Sequence, residues 1–334
     1  MNWSVAEQIR EAKQCKPHVV ILGAGASAAA FPNGDKNGRK LPVMSNLVET
    51  VGLGPVLKKH EIPFRKNQNF ERLYATLLEQ QHEATSEIED LIRCYFSKLQ
   101  LPEQPTLYDH LVISLREKDL IATFNWDPFL FQATERNCAF TKPPQTAFLH
   151  GCVALGVDHK NKIFGHVGRI SSKGQPFAPS RLLYPINKKD YSSDPFIKDQ
   201  WNQLKHSLEH AFVLSIFGYS APSSDVEAKK LMQSAWGNPE TRQFEEIEII
   251  DIKGKAELRK TWDSLICSHH YETSTDFYNS ILAHFPRRSV ESIWNTVAMA
   301  RVVQKNPIPR HLNFDDLYQW FKPLLNAETT PSDC

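Results

Sequence analysis

Val19-Val20-Ile21-Leu22-Gly23-Ala24-Gly25-Ala26-Ser27 is the stretch that decides the fold. The run His18 to Leu22 is short, apolar and rich in β-branched residues, as in a strand buried on both faces of a parallel sheet. Gly23-x-Gly25 directly after it lets the backbone turn sharply and approach a pyrophosphate with no side chain in the way. The amino end of the following helix would add unpaired amides and a positive dipole end, and Ser27 a hydroxyl. A tight strand-to-helix turn also needs glycine for packing alone, so both readings stand here. Ala28-Ala29-Ala30 is expected to open the helix, small enough to lie close against the sheet.

Working outward, strand-like and helix-like segments alternate. Strands are expected at Leu120–Thr123, Ala147–Leu149, Phe212–Phe217 and Glu246–Ile252. Helices are expected at Ser4–Lys13, Tyr108–Arg116, Ile197–His210 and Val226–Trp236. That alternation predicts an α/β fold with a doubly wound parallel sheet. Between about 45 and 100, apolar residues recur at helical spacing (Leu73, Leu77, Leu78, then Ile88, Leu91, Ile92, Tyr95), which reads as an inserted helical subdomain. Residues 31–42, rich in Pro, Asn, Gly and Lys, read as a mobile loop, and 164–185 as an irregular cap with short strands. The domain is expected to span 1–270, with a helical, aromatic extension over 271–334.

A hydride-transferring dehydrogenase fits poorly. Ala28 fills the third small-residue slot of the dinucleotide fingerprint, but Glu49, at about the offset of the ribose-binding acid, lies in loop and helix rather than at a strand's end. The formal net charge of +1 gives no sign of a long polyanion as ligand. The basic pairs Lys58-Lys59, Lys188-Lys189 and Arg287-Arg288 read as solvated faces. Six cysteines with no CxxC pair read as reduced thiols in a cytoplasmic protein, with neither a disulfide framework nor a zinc ribbon. The first residues lack the pattern of a secretory signal, and no apolar run is long enough for a membrane span.

Chemistry-bearing residues cluster where strands end. Thr123-Phe124-Asn125-Trp126-Asp127-Pro128 sits where a strand gives way to a helix, the edge at which parallel sheets bind ligands. Asp127 can equally cap a helix opening at Pro128; Asn125 lies two residues too early for that. His150-Gly151 follows another short strand. Gly218-Tyr219-Ser220 follows a third, where Ser220 and Asp225 could bond a ribose or cap the next helix.

These segments, in this order, resemble the NAD-binding core of sirtuins. Gly23-Ala24-Gly25-Ala26-Ser27 is similar to the sirtuin GAGAS turn, Thr123-x-Asn125-x-Asp127 to its TxNxD segment, Leu149-His150-Gly151 to its catalytic histidine–glycine, and Gly218-Tyr219-Ser220 to its GTS turn. Ile249-Ile250-Asp251 stands where the family's last strand touches adenosine. The resemblance implies that Gly23, Ala24, Gly25, Ser27, Gly218 and Ser220 hold phosphates and ribose, that Asp127 faces the nicotinamide carboxamide, and that Asn125 and His150 sit at the N-glycosidic bond. The family's proline-aspartate-phenylalanine-arginine loop is replaced by Phe31 to Pro42, and its paired zinc cysteines are absent, so acyl-lysine peptides are disfavoured as substrates.

Gly218-Tyr219-Ser220-Ala221-Pro222-Ser223-Ser224-Asp225 resembles the version found in sirtuin-like effectors of bacterial anti-phage defence. That resemblance implies an NAD glycohydrolase releasing nicotinamide and ADP-ribose. Asn125 would orient a water and the ribose hydroxyls, and His150, an imidazole titrating near working pH, would act as general base. It further implies NAD as the ligand, no metal, and a homo-oligomer or a partner such as an ATPase or Argonaute-like protein, without nucleic acid or membrane contact. An NAD or ADP-ribose sensor and a protein ADP-ribosyltransferase are the alternatives.

Overall fold

The computed structural model describes residues 2–186, 189–222, 225–237, 240, 242–266 and 270–328. Strand β1 (Asn2–Trp3) leads into helix α1 (Val5–Arg10), where Ser4 and Glu7 bond each other's backbone amides in a capping box. Next come β2 (His18–Leu22), buried throughout, and α2 (Ala24–Ala30). This helix opens four residues before the expected Ala28, because Gly23 is its N-cap and the Gly-Ala-Gly-Ala-Ser run is itself the first turn.

Helices α3 (Leu47–Val51), α4 (Gly54–Lys59), α5 (Phe70–Glu79) and α6 (Ala84–Ser97) occupy the stretch read as helical. Leu73 and Leu77 of α5 and Ile88 and Ile92 of α6 are buried, while Leu78 lies outside that stripe and is exposed. Residues 31–42 are irregular, yet tied down: the Asp35 carboxylate accepts the amides of Asn37, Arg39 and Gln100 at 2.8, 2.8 and 3.1 Å.

The chain continues through α7 (Leu107–Ile113), β3 (Leu120–Thr123), α8 (Phe129–Asn137) and β4 (Gln145–Phe148). Then β5 (Leu155–Asp158), β6 (Ile163–His166) and β7 (Ala178–Pro179) form a small antiparallel sheet with β5 in the middle. The remaining core elements are α9 (Pro195–His210), β8 (Val213–Phe217), α10 (Val226–Trp236), β9 (Glu246–Ile250), α11 (Lys255–Ile266) and β10 (Tyr271–Ser274).

The six-stranded sheet has the order β10-β9-β8-β2-β3-β4, and every neighbouring pair is parallel. The chain starts in the middle, builds outwards through β3 and β4, and returns beside β2 to build the other half. That is the doubly wound order, with its switch point between β2 and β8. Strand β10 carries the sheet past position 270, where the extension was expected to begin. Its four residues, three of them polar, lie on the sheet edge and give no buried apolar run. The rest of the extension comprises α12 (Ile281–His284), α13 (Ser289–Val297), β11 (Val302–Val303) and α14 (Phe314–Glu328). It folds back on the amino terminus, where β11 pairs with β1 and α14 lies against α1.

Two surface readings need correction. Arg287 and Arg288 are not a solvated face: they are 4% and 1% exposed, both bond the Glu328 carboxylate, and Arg287 also donates to the carbonyls of Ile113 and Leu115. Lys189 is likewise buried, against Asp225, whereas Lys188 lies outside the described residues. Nor are all the thiols reduced: Cys94, Cys138 and Cys152 are free, but Cys15 is disulfide-bonded. Cys267 and Cys334 lie outside the described residues. No helix among the described residues is long and apolar enough to cross a membrane.

Candidate functional site

The carboxyl ends of β2, β3, β4 and β8 bring four of the sequence-picked segments onto one edge of the sheet. At the switch point two turns meet backbone to backbone. The Gly25 amide donates to the Gly218 carbonyl at 2.9 Å, and Gly23 donates to Phe217 at 3.0 Å. Gly218 adopts φ +61°, and a Cβ there would lie 2.2 Å from the Ala26 nitrogen. These glycines are thus required for packing, as the plainer reading held. The Gly25 and Ala26 amides are engaged within the turns, whereas the Ala24 amide makes no hydrogen bond among the described residues.

Below the turn lies a buried polar network. Ser27 donates from Oγ to Asp127 Oδ2 at 2.7 Å and shares a 2.6 Å hydrogen bond with the Tyr108 hydroxyl. The Asn125 amide donates to the Gly23 carbonyl and to Ser27 Oγ, each at 3.0 Å, and lies 3.4 Å from the Tyr108 oxygen. Asp127 also accepts the Phe129 amide at 3.2 Å, but it is not the helix cap: Pro128 is the N-cap of α8, which has no side-chain cap bond. Burial raises the Asp127 carboxyl to about 6, against the lowering effect of the bonds from Ser27 and Phe129. Tyr108, whose hydroxyl completes this network, gives no sign of it in the sequence beyond an apolar helix position.

His150 belongs to a second, aromatic cluster. Phe124 stacks on Tyr219, and the His150 ring meets Phe124 edge-on with centroids 4.8 Å apart. On its other side Tyr191 lies nearly parallel at 6.0 Å and its hydroxyl is 3.4 Å from His150 Nε2. Tyr219 donates to Asp225 Oδ2 at 2.8 Å, and Asp225 Oδ1 pairs with Lys189. Asp225 therefore binds a tyrosine and a lysine rather than capping α10, for which it makes no side-chain cap bond. Gly151 is fixed by φ +78° and by the Arg181 carbonyl, 2.0 Å from where a Cβ would stand.

The basicity expected of His150 does not hold in this arrangement. Burial lowers its imidazole to about 3; Asp225 works against that shift and Lys189 with it. The ring is neutral at neutral pH. No hydrogen bond joins His150 to the Asn125 network among the described residues. Ser220 is exposed, and Ser223 and Ser224 lie outside the described residues. Asp251 directly follows β9 and is half-buried, its carboxylate accepting the Lys253 amide at 3.0 Å. Cys152 is buried against the Asp127 carbonyl, and burial pushes its thiol up to about 12, so it is not a nucleophile.

Beside this edge, a cleft of about 710 Å³ opens between α9 and α10, with Tyr191, Trp201 and Lys189 in its wall. Tyr191 thus separates His150 from the open cleft. The sequence offered no signal for Tyr191 or Lys189, because the segment that carries them has no regular period.

No protein-family model and no curated protein matches the chain. Among solved structures, a Sir2 homologue in complex with NAD aligns over 88% of this chain and 94% of its own, at 13% identity and a TM-score of 0.41. A sirtuin solved to explain substrate affinity aligns over 82% and 93%, at 14% identity and a TM-score of 0.41. A Sir2 enzyme solved for its mechanism and regulation aligns over 88% and 98%, at 13% identity and a TM-score of 0.37. The likeness is distant, and the functional reading rests on the residues themselves.

Proposed function

We propose that the chain is a sirtuin-like NAD-binding enzyme that hydrolyses NAD to nicotinamide and ADP-ribose. The observation that carries this reading is the meeting of the Gly23–Ser27 turn, Asn125, Asp127, His150 and Gly218 at the carboxyl edge of a doubly wound sheet, around its switch point.

Cleavage of the nicotinamide bond expels a neutral leaving group and builds oxocarbenium character on the ribose, as glycoside hydrolysis generally does. The protein has to hold the ribose, exclude bulk water and admit one nucleophilic water. Asn125 orients that water and the ribose hydroxyls, Asp127 faces the carboxamide, and neutral His150 accepts a proton directly or through a ribose hydroxyl. Ala24 and Ser220 serve the phosphates and ribose, Gly23, Gly25 and Gly218 give the turns their close approach, Ser27 holds Asn125 and Asp127 in register, and Asp251 serves the adenosine end. Because Asn125 and His150 are 8% and 6% exposed, substrate entry requires Tyr191 to swing off His150.

The depressed basicity of His150 favours one second reading, an NAD or ADP-ribose sensor without turnover. Incubation of the purified chain with NAD, followed by chromatography, separates the two. Nicotinamide and ADP-ribose in equal amounts support hydrolysis; binding without product supports the sensor; ADP-ribose retained on protein supports a transferase. The same reading extends to an NAD-depleting effector of anti-phage defence, cytoplasmic, working as a homo-oligomer or with a partner ATPase or Argonaute-like protein.

A further inference from the structure

The last turn of α9 carries His206, Glu209 and His210, and one ligand atom from each lies within 4.8 Å of the other two. Spacings of three and four residues put all three side chains on one helix face. Two histidines at i and i+4 are the arrangement by which a helix holds zinc.

The surroundings favour a metal here. His210 Nδ1 donates to the His206 carbonyl at 2.8 Å, which fixes the tautomer and leaves Nε2 as the lone-pair nitrogen. Zinc-binding imidazoles characteristically make this kind of second hydrogen bond. Among the described residues, the Glu209 carboxylate takes part in no hydrogen bond or ion pair; only its backbone carbonyl is used, by Arg242 at 2.7 Å. The carbonyl end of a helix also attracts cations, although Arg242 already answers part of that through Leu208, Glu209 and Ala211. All three donors are exposed, so an ion needs no passage through the protein.

We infer that His206, Glu209 and His210 form a binding site for a divalent transition metal of the zinc class. Two imidazoles and one carboxylate suit Zn²⁺, Ni²⁺ or Cu²⁺ rather than Mg²⁺ or Ca²⁺, and three protein ligands leave a tetrahedral position for water. The site lies where α9 leads into β8, at the amino edge of the sheet and opposite the candidate site. It is therefore independent of the proposed reaction. A bound ion would cross-link the last turn of α9.

Calorimetric titration of the full chain with zinc chloride tests this. The expected result is one equivalent bound, with affinity reduced about tenfold or more in His206→Ala and in His210→Ala. A smaller loss is expected in Glu209→Gln, and none in His159→Ala, a substitution at an exposed position outside the set. Unchanged thermal melting of the metal-free variants checks that they fold, and His206→Gln replaces any that does not. Absence of zinc binding by the wild type, or binding undiminished in both histidine variants, as from the exposed thiols of Cys94 and Cys138, overturns the site.

Discussion

The rings of Phe124 and Tyr219 lie face to face, with centroids 4.0 Å apart and planes 6° from parallel. One follows β3 and the other follows β8, so the pair spans the end of β2 and joins the two halves of the sheet over the switch point. It also sets the surface that His150 meets edge-on. Tyr219→Phe keeps the stack and removes only the hydrogen bond to the Asp225 carboxylate, at an expected cost of about 1.5–3 kcal/mol. Tyr219→Ala is expected to cost about 3–5 kcal/mol, as for a fully buried aromatic ring. Urea unfolding of the two variants separates these values, and equal losses would show that the stack does not stabilise the edge.

Gly218→Ala tests the contact between the two turns. It forces a side chain onto a left-handed φ and into the Ala26 nitrogen, and the strained backbone alone is expected to cost about 1–3 kcal/mol. Gly254→Ala, where a Cβ meets nothing within 4 Å, is the control. A Gly218 variant melting with wild type would contradict the turn-on-turn geometry.

Ser27→Ala removes the donor to Asp127 and the acceptor for Asn125 in one step. Leaving buried partners unmet is expected to cost about 1–3 kcal/mol. Turnover should fall further than stability explains, because the Asn125 amide loses its register. Equilibrium unfolding and NAD turnover on the same preparation check both parts. A variant that is destabilised but turns over NAD at the wild-type rate would make the network purely structural.

Stability is expected to fall on both sides of mildly acidic pH. Burial lowers His18 and His110 to about 4 and His150 to about 3, from 6.5. Their neutral forms belong to the folded state, so their contribution is full above 6.5 and is lost as the pH drops towards those values. Glu248, buried between Ser215 and the Ile281 amide, is raised from 4.5 to about 7. Its contribution is full below 4.5 and is lost as pH rises through 7. Unfolding midpoints measured across this range should show a flatter neutral limb in Glu248→Gln. Parallel curves for the variant and wild type would contradict that assignment.

The sheet was legible because its central strands are buried on both faces: Leu120–Thr123 falls where the sequence puts it and Val213–Phe217 begins one residue later, and helix α10 (Val226–Trp236) also falls where its apolar spacing puts it. The elements that escaped are those without a buried period. Strand β10 is a polar edge, and Tyr191 reaches His150 from an irregular segment. Asn125, Asp127 and His150 could be picked out because strand ends are where a parallel sheet offers chemistry. Their protonation could not, since burial rather than residue type sets His150 to about 3 and Asp127 to about 6. Arg287 and Arg288 misled for the same reason: a charged pair reads as solvated until its carboxylate, Glu328, arrives from 40 residues away in sequence.

The central claim is that His150 takes part in cleaving NAD. The most direct measurement is nicotinamide release by wild type and His150→Ala, with equal melting temperatures confirming that both fold. Removal of a positioned base is expected to cut the rate by about 10²–10⁴. Undiminished release by a folded His150→Ala would contradict the account.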